Sequence, residues 1–467
     1  MRIGQNSIIA FLSQALTSVA GFVATVYIAR ELGEATLGVY SLVLAVVIWL
    51  KIIGGLGIQT ALKKRLSEPG DDGPYLVAGV VTQLVVFVVL AGVVVGLGPW
   101  LSSYLRGTPV GTVVALFALT LSFAFVTAAL EGQNRVHIAS LLAPADRLVR
   151  SVVQILLIVV GFGLTGLLFG YGLGALVGTL LGVVFLSVPL ALPTREHFEA
   201  ITGYAKYSWL SNLSNRAFAS MDTLVLGLFV ADGLIGVYEV AWNLASVLAV
   251  FGVAIGTAMF PAMSELSSEG NLEEVRYLFS DSMSFTGLLL IPGLVGAALV
   301  GDLVLTLYGQ SFSRGHLVLV VLTFSRTVYA YEFQIVNTLN ALDRPDRAFR
   351  IDGVFITVNV ALNLVLVWQF GWVGAAAATA VSAVIALALG HRAVQDVVGV
   401  QLPLDEIGRQ LLAAVVMGLV VAGGRYLLAP TLVTGVVLVV VGGVVYFAAL
   451  TGLSVRFREV VVDNVPF

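Results

Sequence analysis

Three basic residues, Lys51, Arg216 and Arg326, sit inside stretches of sequence that are otherwise apolar. A charge at the centre of a bilayer costs roughly 2.5–3.5 kcal/mol on insertion scales, so such residues face water, a partner or a ligand. Polar side chains recur around them at helical spacing. Residues 207–229 carry Ser208, Asn212, Asn215, Arg216, Asp222 and Thr223, and residues 316–338 carry Thr323, Arg326, Thr327, Gln334 and Asn337, with Glu332 on the opposite face. Glu239, Asn243 and Ser246 recur in 234–257, Asp352, Asn359 and Asn363 in 350–369, and Gln14, Thr17, Ser18 and Thr25 in 7–29. One polar stripe per helix, supplied by several helices, lines a water-filled cavity.

Amides bond sugar hydroxyls, and arginine grips phosphate through its planar fork. Arg216 and Arg326 are the first candidates for a phosphate, with Lys51 and the mouth residue Arg30 next. Asn212, Asn215, Asn337, Asn359 and Asn363 are the candidates for polar headgroup contacts. Asp222, Glu239 and Glu332 are candidates for binding H+ or Na+. A structural reading stands beside each of these. The arginines can pair with Asp222, Glu239 or Glu332, Lys51 can snorkel to the interface, and the asparagines can join helices by hydrogen bonds.

Several chemistries are excluded. The chain has no cysteine, and His137, His197, His316 and His391 are scattered beyond metal-ligand spacing, so neither a metal nor a cofactor is expected. There is no Gly-x-x-x-x-Gly-Lys phosphate loop and no Asp-x-Asp at a helix end, which argues against an enzyme. A net charge of −3 provides no basic field for nucleic acid.

The elements that hold these residues follow from composition. Of 467 residues, 59% are hydrophobic and 11% charged, and the mean hydropathy is +1.01. Soluble domains carry about 25% charged residues. The missing polar surface means that lipid is the solvent. A crossing helix needs about 20 mostly apolar residues. That rule predicts an all-α polytopic membrane protein of about fourteen spans: 7–29, 37–59, 75–97, 110–131, 148–169, 172–192, 207–229, 234–257, 281–301, 316–338, 350–369, 372–392, 410–429 and 432–453. The connections at Gly170 and Gly371 are very short. The first span is too long for a cleaved signal.

Orientation follows from basic residues. With the N-terminus inside, the inner segments hold Arg2, Lys63, Lys64, Arg65, Arg135, Arg147, Arg150, Arg195, Lys206, Arg276, Arg344, Arg347, Arg350, Arg392, Arg409, Arg456 and Arg458. The outer segments hold Arg30, Arg106, Arg314 and Arg425. Both termini are therefore expected in the cytoplasm.

Short matches recur in order along the chain. Leu37-Gly-Val-Tyr40 pairs with Ile235-Gly-Val-Tyr238, Thr60-Ala61 with Thr257-Ala258, Asp146-Arg147-Leu-Val-Arg150 with Asp346-Arg347-Ala-Phe-Arg350, and Phe169-Gly-Tyr171 with Phe370-Gly-Trp372. A repeat of six helices gives two parallel lobes, a transporter architecture with its substrate path between them. The expected divisions are an N-terminal lobe at 1–192, a linker at 193–206, a C-terminal lobe at 207–392, a loop at 393–409, two further helices at 410–453 and a tail at 454–467.

Ala29-Arg30-Glu-Leu-Gly33 with Leu37-Gly-Val-Tyr40, Phe260-Pro-Ala-Met-Ser264-Glu265, and Asn340-Ala-Leu-Asp343-Arg-Pro345 ahead of Asn359 and Asn363 resemble the polysaccharide (O-antigen type) flippases. These belong to the multidrug/oligosaccharidyl-lipid/polysaccharide exporter superfamily. The resemblance covers the whole chain and implies alternating access for a polyprenyl- or dolichyl-(pyro)phosphate-linked oligosaccharide, moved from the cytoplasmic to the external leaflet. The expected setting is the plasma membrane, with a monomer whose partners are that substrate, membrane lipids and, where transport is ion-coupled, H+ or Na+. A cation-coupled multidrug exporter of the same superfamily is the alternative. The buried basic set disfavours cationic cargo, and short external connections disfavour a membrane polysaccharide polymerase.

Overall fold

The computed structural model describes residues 2–55, 57–69, 72–186, 191–205 and 221–464, with side chains described for residues 21–459 of these. The described chain is helical, and no strand occurs among the described residues. Its helices are α1 (Arg2–Gly55), α2 (Ile58–Ser67), α3 (Asp72–Gly96), α4 (Gly98–Tyr104), α5 (Val110–Gly132), α6 (Val136–Val159), α7 (Gly163–Val184), α8 (Met221–Phe229), α9 (Asp232–Ser268), α10 (Leu272–Leu305), α11 (His316–Ala341), α12 (Pro345–Val398), α13 (Leu404–Leu427), α14 (Leu432–Leu453) and α15 (Val455–Asn464). A further helical stretch covers residues 195–205.

Nine of these helices are long and apolar enough to cross a membrane among the described residues, with α1 and α12 counted once each. Both of those bend at a glycine. Gly33 has φ 72° and ψ 174°, and Gly371 has φ 59° and ψ −140°. A side chain resists such positive φ, so each glycine divides its helix into two crossing lengths. α6 and α11 are as long as their neighbours but more polar. With these and with α8, the described helices fit the all-α membrane fold of about fourteen helices expected.

One predicted connection is misplaced. Gly170 lies inside α7. The chain turns instead at Val160–Phe162, where Gly161 and Gly163 have φ 93° and 52°. Gly170 serves packing, since an added Cβ would come 2.6 Å from the Gln154 side chain. The Phe169-Gly-Tyr171 match is therefore mid-helix, whereas Phe370-Gly-Trp372 marks a true bend.

The chain forms two compact units, Met1–Gly236 and Val237–Phe467. In the first, Leu42, Val43 and Val47 of α1 pack with Leu101, Leu105, Val113 and Leu116. In the second, Ile291 and Val300 of α10 pack with Met417, Leu438, Tyr446 and Leu450. Outward positions stay apolar: Val89 is 60% exposed, Leu419 72% and Val444 65%. That is the inverse of a soluble surface and suits acyl-chain solvent.

Candidate functional site

In the first unit, α1 ends at Gly55 and α2 starts beyond the left-handed Gly57. α2 is amphipathic. Ile58, Ala61, Leu62 and Leu66 are buried against Leu76, Ala129 and Ile201, which leaves Lys63 on the open side. α5 ends beside it, so Lys63 Nζ lies 2.8 Å from Glu131 Oε2. Together α1, α2 and α5 enclose a cleft of about 480 Å³ lined by Lys51, Gln59, Thr60, Lys63, Thr127 and Glu131, among others. Among the described lining residues two ammonium groups stand beside one carboxylate, with hydroxyls and an amide around them. The Lys63 and Glu131 side chains are 53% and 32% exposed. A pair that open contributes at most about 1 kcal/mol, so an incoming anion can displace the carboxylate.

The same unit buries a second polar cluster. Arg150 Nη2 donates to Asp146 Oδ2 at 2.6 Å, and the guanidinium lies 3.9 Å from the centre of the Tyr171 ring. Gln154 Nε2 donates to the Tyr40 hydroxyl at 2.9 Å and to the Leu167 carbonyl at 2.8 Å. Arg150, which also counts among the inner basic residues, forms part of the interior with Asp146.

At the opposite end of the first unit from Lys63, Arg106 Nε donates to Asp232 Oδ1 at 2.8 Å, and Nη2 donates to the Gly227 carbonyl at 3.3 Å. Tyr104 donates its hydroxyl hydrogen to the Leu224 carbonyl at 2.5 Å, and burial pushes its phenol above the ordinary range. Beside them α1 and α9 touch backbone to backbone. A Cβ on Gly38 would overlap the Asp232 carbonyl, and one on Gly236 would overlap the Glu34 carbonyl.

In the second unit, Arg326 stands 4.6 Å over the Trp242 ring, a cation–π contact. Below it the α11 amides reach α9: Gln334 Nε2 donates to the Gly252 carbonyl and Asn337 Nδ2 to the Gly256 carbonyl, both at 2.7 Å. Asn359 Nδ2 donates to Thr379 Oγ1 at 3.3 Å, and Asn363 Nδ2 to the Asn359 carbonyl at 3.1 Å. Asn359 thus bridges the two halves of α12, and Asn363, bonded to it within the first half, is wholly buried. Glu332 is 4% exposed, with the Asp352 carboxylate as an electrostatic neighbour.

Among the other predicted residues, Lys51 is half-buried in the cleft, Arg30 is exposed just before the Gly33 bend, Glu239 is half-buried and Asp222 is 4% exposed. Arg216, Asn212 and Asn215 lie outside the described residues. The sequence singled out Lys51 but not Gln59, Thr60, Lys63, Thr127 or Glu131. The sequence signal for Lys63 is the Lys63-Lys64-Arg65 run, which reads equally as a cytoplasmic orientation charge.

Three comparisons place this arrangement. “Probable flippase AglR” of Haloferax volcanii is 34% identical over 467 residues, covering 98% of this chain and 97% of its own. “Probable low-salt glycan biosynthesis flippase Agl15” of the same organism is 25% identical over 465 residues, covering 99% and 98%. The solved structure of the lipid II flippase MurJ, in an inward closed conformation, matches with a TM-score of 0.84 at 14% identity over 97% of this chain and 100% of that one. At that identity it shows a shared fold. The family model described as “Polysaccharide biosynthesis protein” matches residues 3–267. The family expected from the motifs is thus borne out: this chain belongs to the polysaccharide biosynthesis protein family.

Proposed function

We propose that the protein is a flippase that carries a lipid-linked oligosaccharide from one leaflet to the other by alternating access, for surface polysaccharide or glycoprotein glycan assembly. The observation that carries this reading is the cleft in the first unit. Lys51 and Lys63 supply positive charge for a phosphate, and Gln59, Thr60 and Thr127 supply donors for the adjoining sugar. A cation exporter of the same fold would place carboxylates there in excess, whereas among the described lining residues ammonium groups outnumber them.

The finer points rest on chemistry. The Lys63 end faces the cytoplasm because that side of the chain holds most of the basic residues. Both termini then lie in the cytoplasm, and the protein sits in the plasma membrane as a monomer. The lobes run 1–192 and 207–392, with 410–453 added. Arg326, Arg216 and Arg30 are each further positions for holding a phosphate, and Asn212 and Asn215 for holding the sugar, while the amides of Asn337, Asn359 and Asn363 are engaged within the second unit. Asp222, Glu239 and Glu332 are the positions through which H+ or Na+ drives the cycle. No step uses a metal or a cofactor.

The test is reconstitution in vesicles with a fluorescent oligosaccharide on a polyprenyl phosphate, following its appearance in the opposite leaflet. Lys51→Ala and Lys63→Ala should each slow transfer at least about tenfold, as loss of a charge-assisted contact implies, while the melting temperature stays unchanged. Wild-type rates in both variants would remove the cleft from the mechanism. Wild-type protein that moves a cationic dye but no lipid-linked sugar would replace the reading with drug export.

A further inference from the structure

A second recess lies in the same unit and carries no charge-binding role in the account above. Between α5 and α7 runs a groove of about 660 Å³, within the usual size of a ligand site. Leu116 and Leu119 of α5 and Leu168 and Leu173 of α7 form its walls. Its base is kept low by small residues, Gly111, Ala115 and Gly172. A side chain on Gly172 would touch Leu116 and Leu119, whereas one on Gly111 would meet no atom within 4 Å, so the helices are closest at Gly172 and the recess opens toward Gly111. Phe169 on its rim is 60% exposed, on a surface otherwise suited to lipid.

Its position along α5 gives it a meaning. Leu119 lines the groove, and Phe123, one helical turn on, lines the Lys51–Lys63 cleft. Residues four apart share a helix face. Along α5, therefore, a polar recess lined by Lys51, Lys63 and Glu131 is followed directly by a largely apolar one, whose far end carries Arg106, Thr108 and Thr112. From Glu131 to Thr112 the helix rises about 28 Å, close to the thickness of the hydrocarbon core. An anionic head continuous with a long hydrocarbon tail matches that order of polarities. A free sugar or a soluble anion leaves the apolar half unfilled.

We propose that the α5–α7 groove binds the hydrocarbon tail of the lipid-linked substrate while its phosphate occupies the Lys51–Lys63 cleft. This rests on the flippase reading above and adds a tail site to it. Binding here makes the tail part of recognition. A longer chain buries more apolar area at roughly 25 cal/mol per Å², and the gain lasts until the groove is full. A bilayer phospholipid offers the same kind of hydrocarbon, but its continuous presence at saturating concentration gives the protein no means of selecting its cargo.

Two measurements test the proposal in full-length protein reconstituted into vesicles. A polyprenyl phosphate carrying a diazirine in its tail should label α5 and α7 peptides on illumination. Unlabelled polyprenyl phosphate should compete, and excess phosphatidylglycerol should not. Equal labelling of the exposed α3 face around Val88 and Val89 would overturn the proposal, as would equal competition by phosphatidylglycerol, which would make the occupant an ordinary acyl chain. The second measurement compares transfer of a two-isoprene and a full-length substrate. Filling the groove with Ala115→Phe should lower the long-to-short preference at least about tenfold, since several buried methylene equivalents are lost. A preference equal to wild type, with both rates reduced together, would assign Ala115 to packing and overturn the tail site. Specific labelling in a protein that moves no lipid-linked sugar would retain the groove and remove the flippase reading. Transport with wild-type chain-length preference in Ala115→Phe would do the reverse.

Discussion

The five-residue pattern Asp-Arg-x-x-Arg occurs at 146–150 in the first unit and 346–350 in the second, with opposite fates. Asp146 is 6% exposed and bonded to Arg150, which lies over Tyr171. Asp346 and Arg350 are exposed, and Arg347 is the residue that turns inward, donating to the Ala393 carbonyl at 3.1 Å. The cause is depth along the helix. α6 begins at Val136, so Asp146 lies about 15 Å into it. α12 begins at Pro345, so Asp346 occupies its first turn, where a carboxylate complements the helix dipole. One pattern serves as a buried ion pair in one unit and as a helix start in the other.

The Leu37-Gly-Val-Tyr40 and Ile235-Gly-Val-Tyr238 copies behave differently. The second half of α1 starts after Gly33 and α9 starts at Asp232, so both motifs sit at the same depth in their helices. Their glycines meet at one contact. Agreement in sequence is informative about structure when it also agrees in helix register.

That contrast makes graded predictions. Gly38→Leu and Gly236→Leu should be equally damaging, because each forces two backbones apart. A loss of about 4 kcal/mol or more, seen as the absence of a monodisperse folded peak in detergent, is expected for both. Tolerance of either one would break the claim that the two copies share a contact. Asp146→Leu comes next. It strands Arg150 in a largely apolar setting and should cost about 3 kcal/mol in thermal unfolding, whereas an effect no larger than that of Asp346→Leu would erase the distinction between the units. Arg347→Ala should cost about 1 kcal/mol through its carbonyl bond, and Arg350→Ala less. The smallest change belongs to Asp346→Asn, a few tenths of a kcal/mol from the helix dipole, measurable only as a slight shift in melting temperature.

Much of the fold was legible because lipid imposes a length rule on every crossing helix, and the fourteen-helix pattern and the bend at Gly371 follow from it. The turn at Gly161-Phe-Gly163 was less visible. It lies in an apolar stretch where glycines that bend the chain and glycines that admit a neighbour look alike, and only φ and packing separate Gly161 from Gly170. The site was half legible. Lys51 stood out as a lone charge in a span, but Lys63 and Glu131 lie 68 residues apart at helix ends, and no local spacing links them. The amides of Gln334 and Asn337 matched a polar stripe, and their donation to Gly252 and Gly256 shows that a stripe also serves to join helices.

The bend at Gly371 has a consequence for handling the protein. Arg347 reaches Ala393, Asn359 reaches Thr379, and a side chain on Gly374 would overlap the Leu366 carbonyl, so residues 345–398 fold back on themselves with a single glycine between the arms. Proteases need several residues of extended chain to close on a peptide bond. A digestion applied from that side of a sealed vesicle should therefore leave the whole hairpin as one uncut fragment.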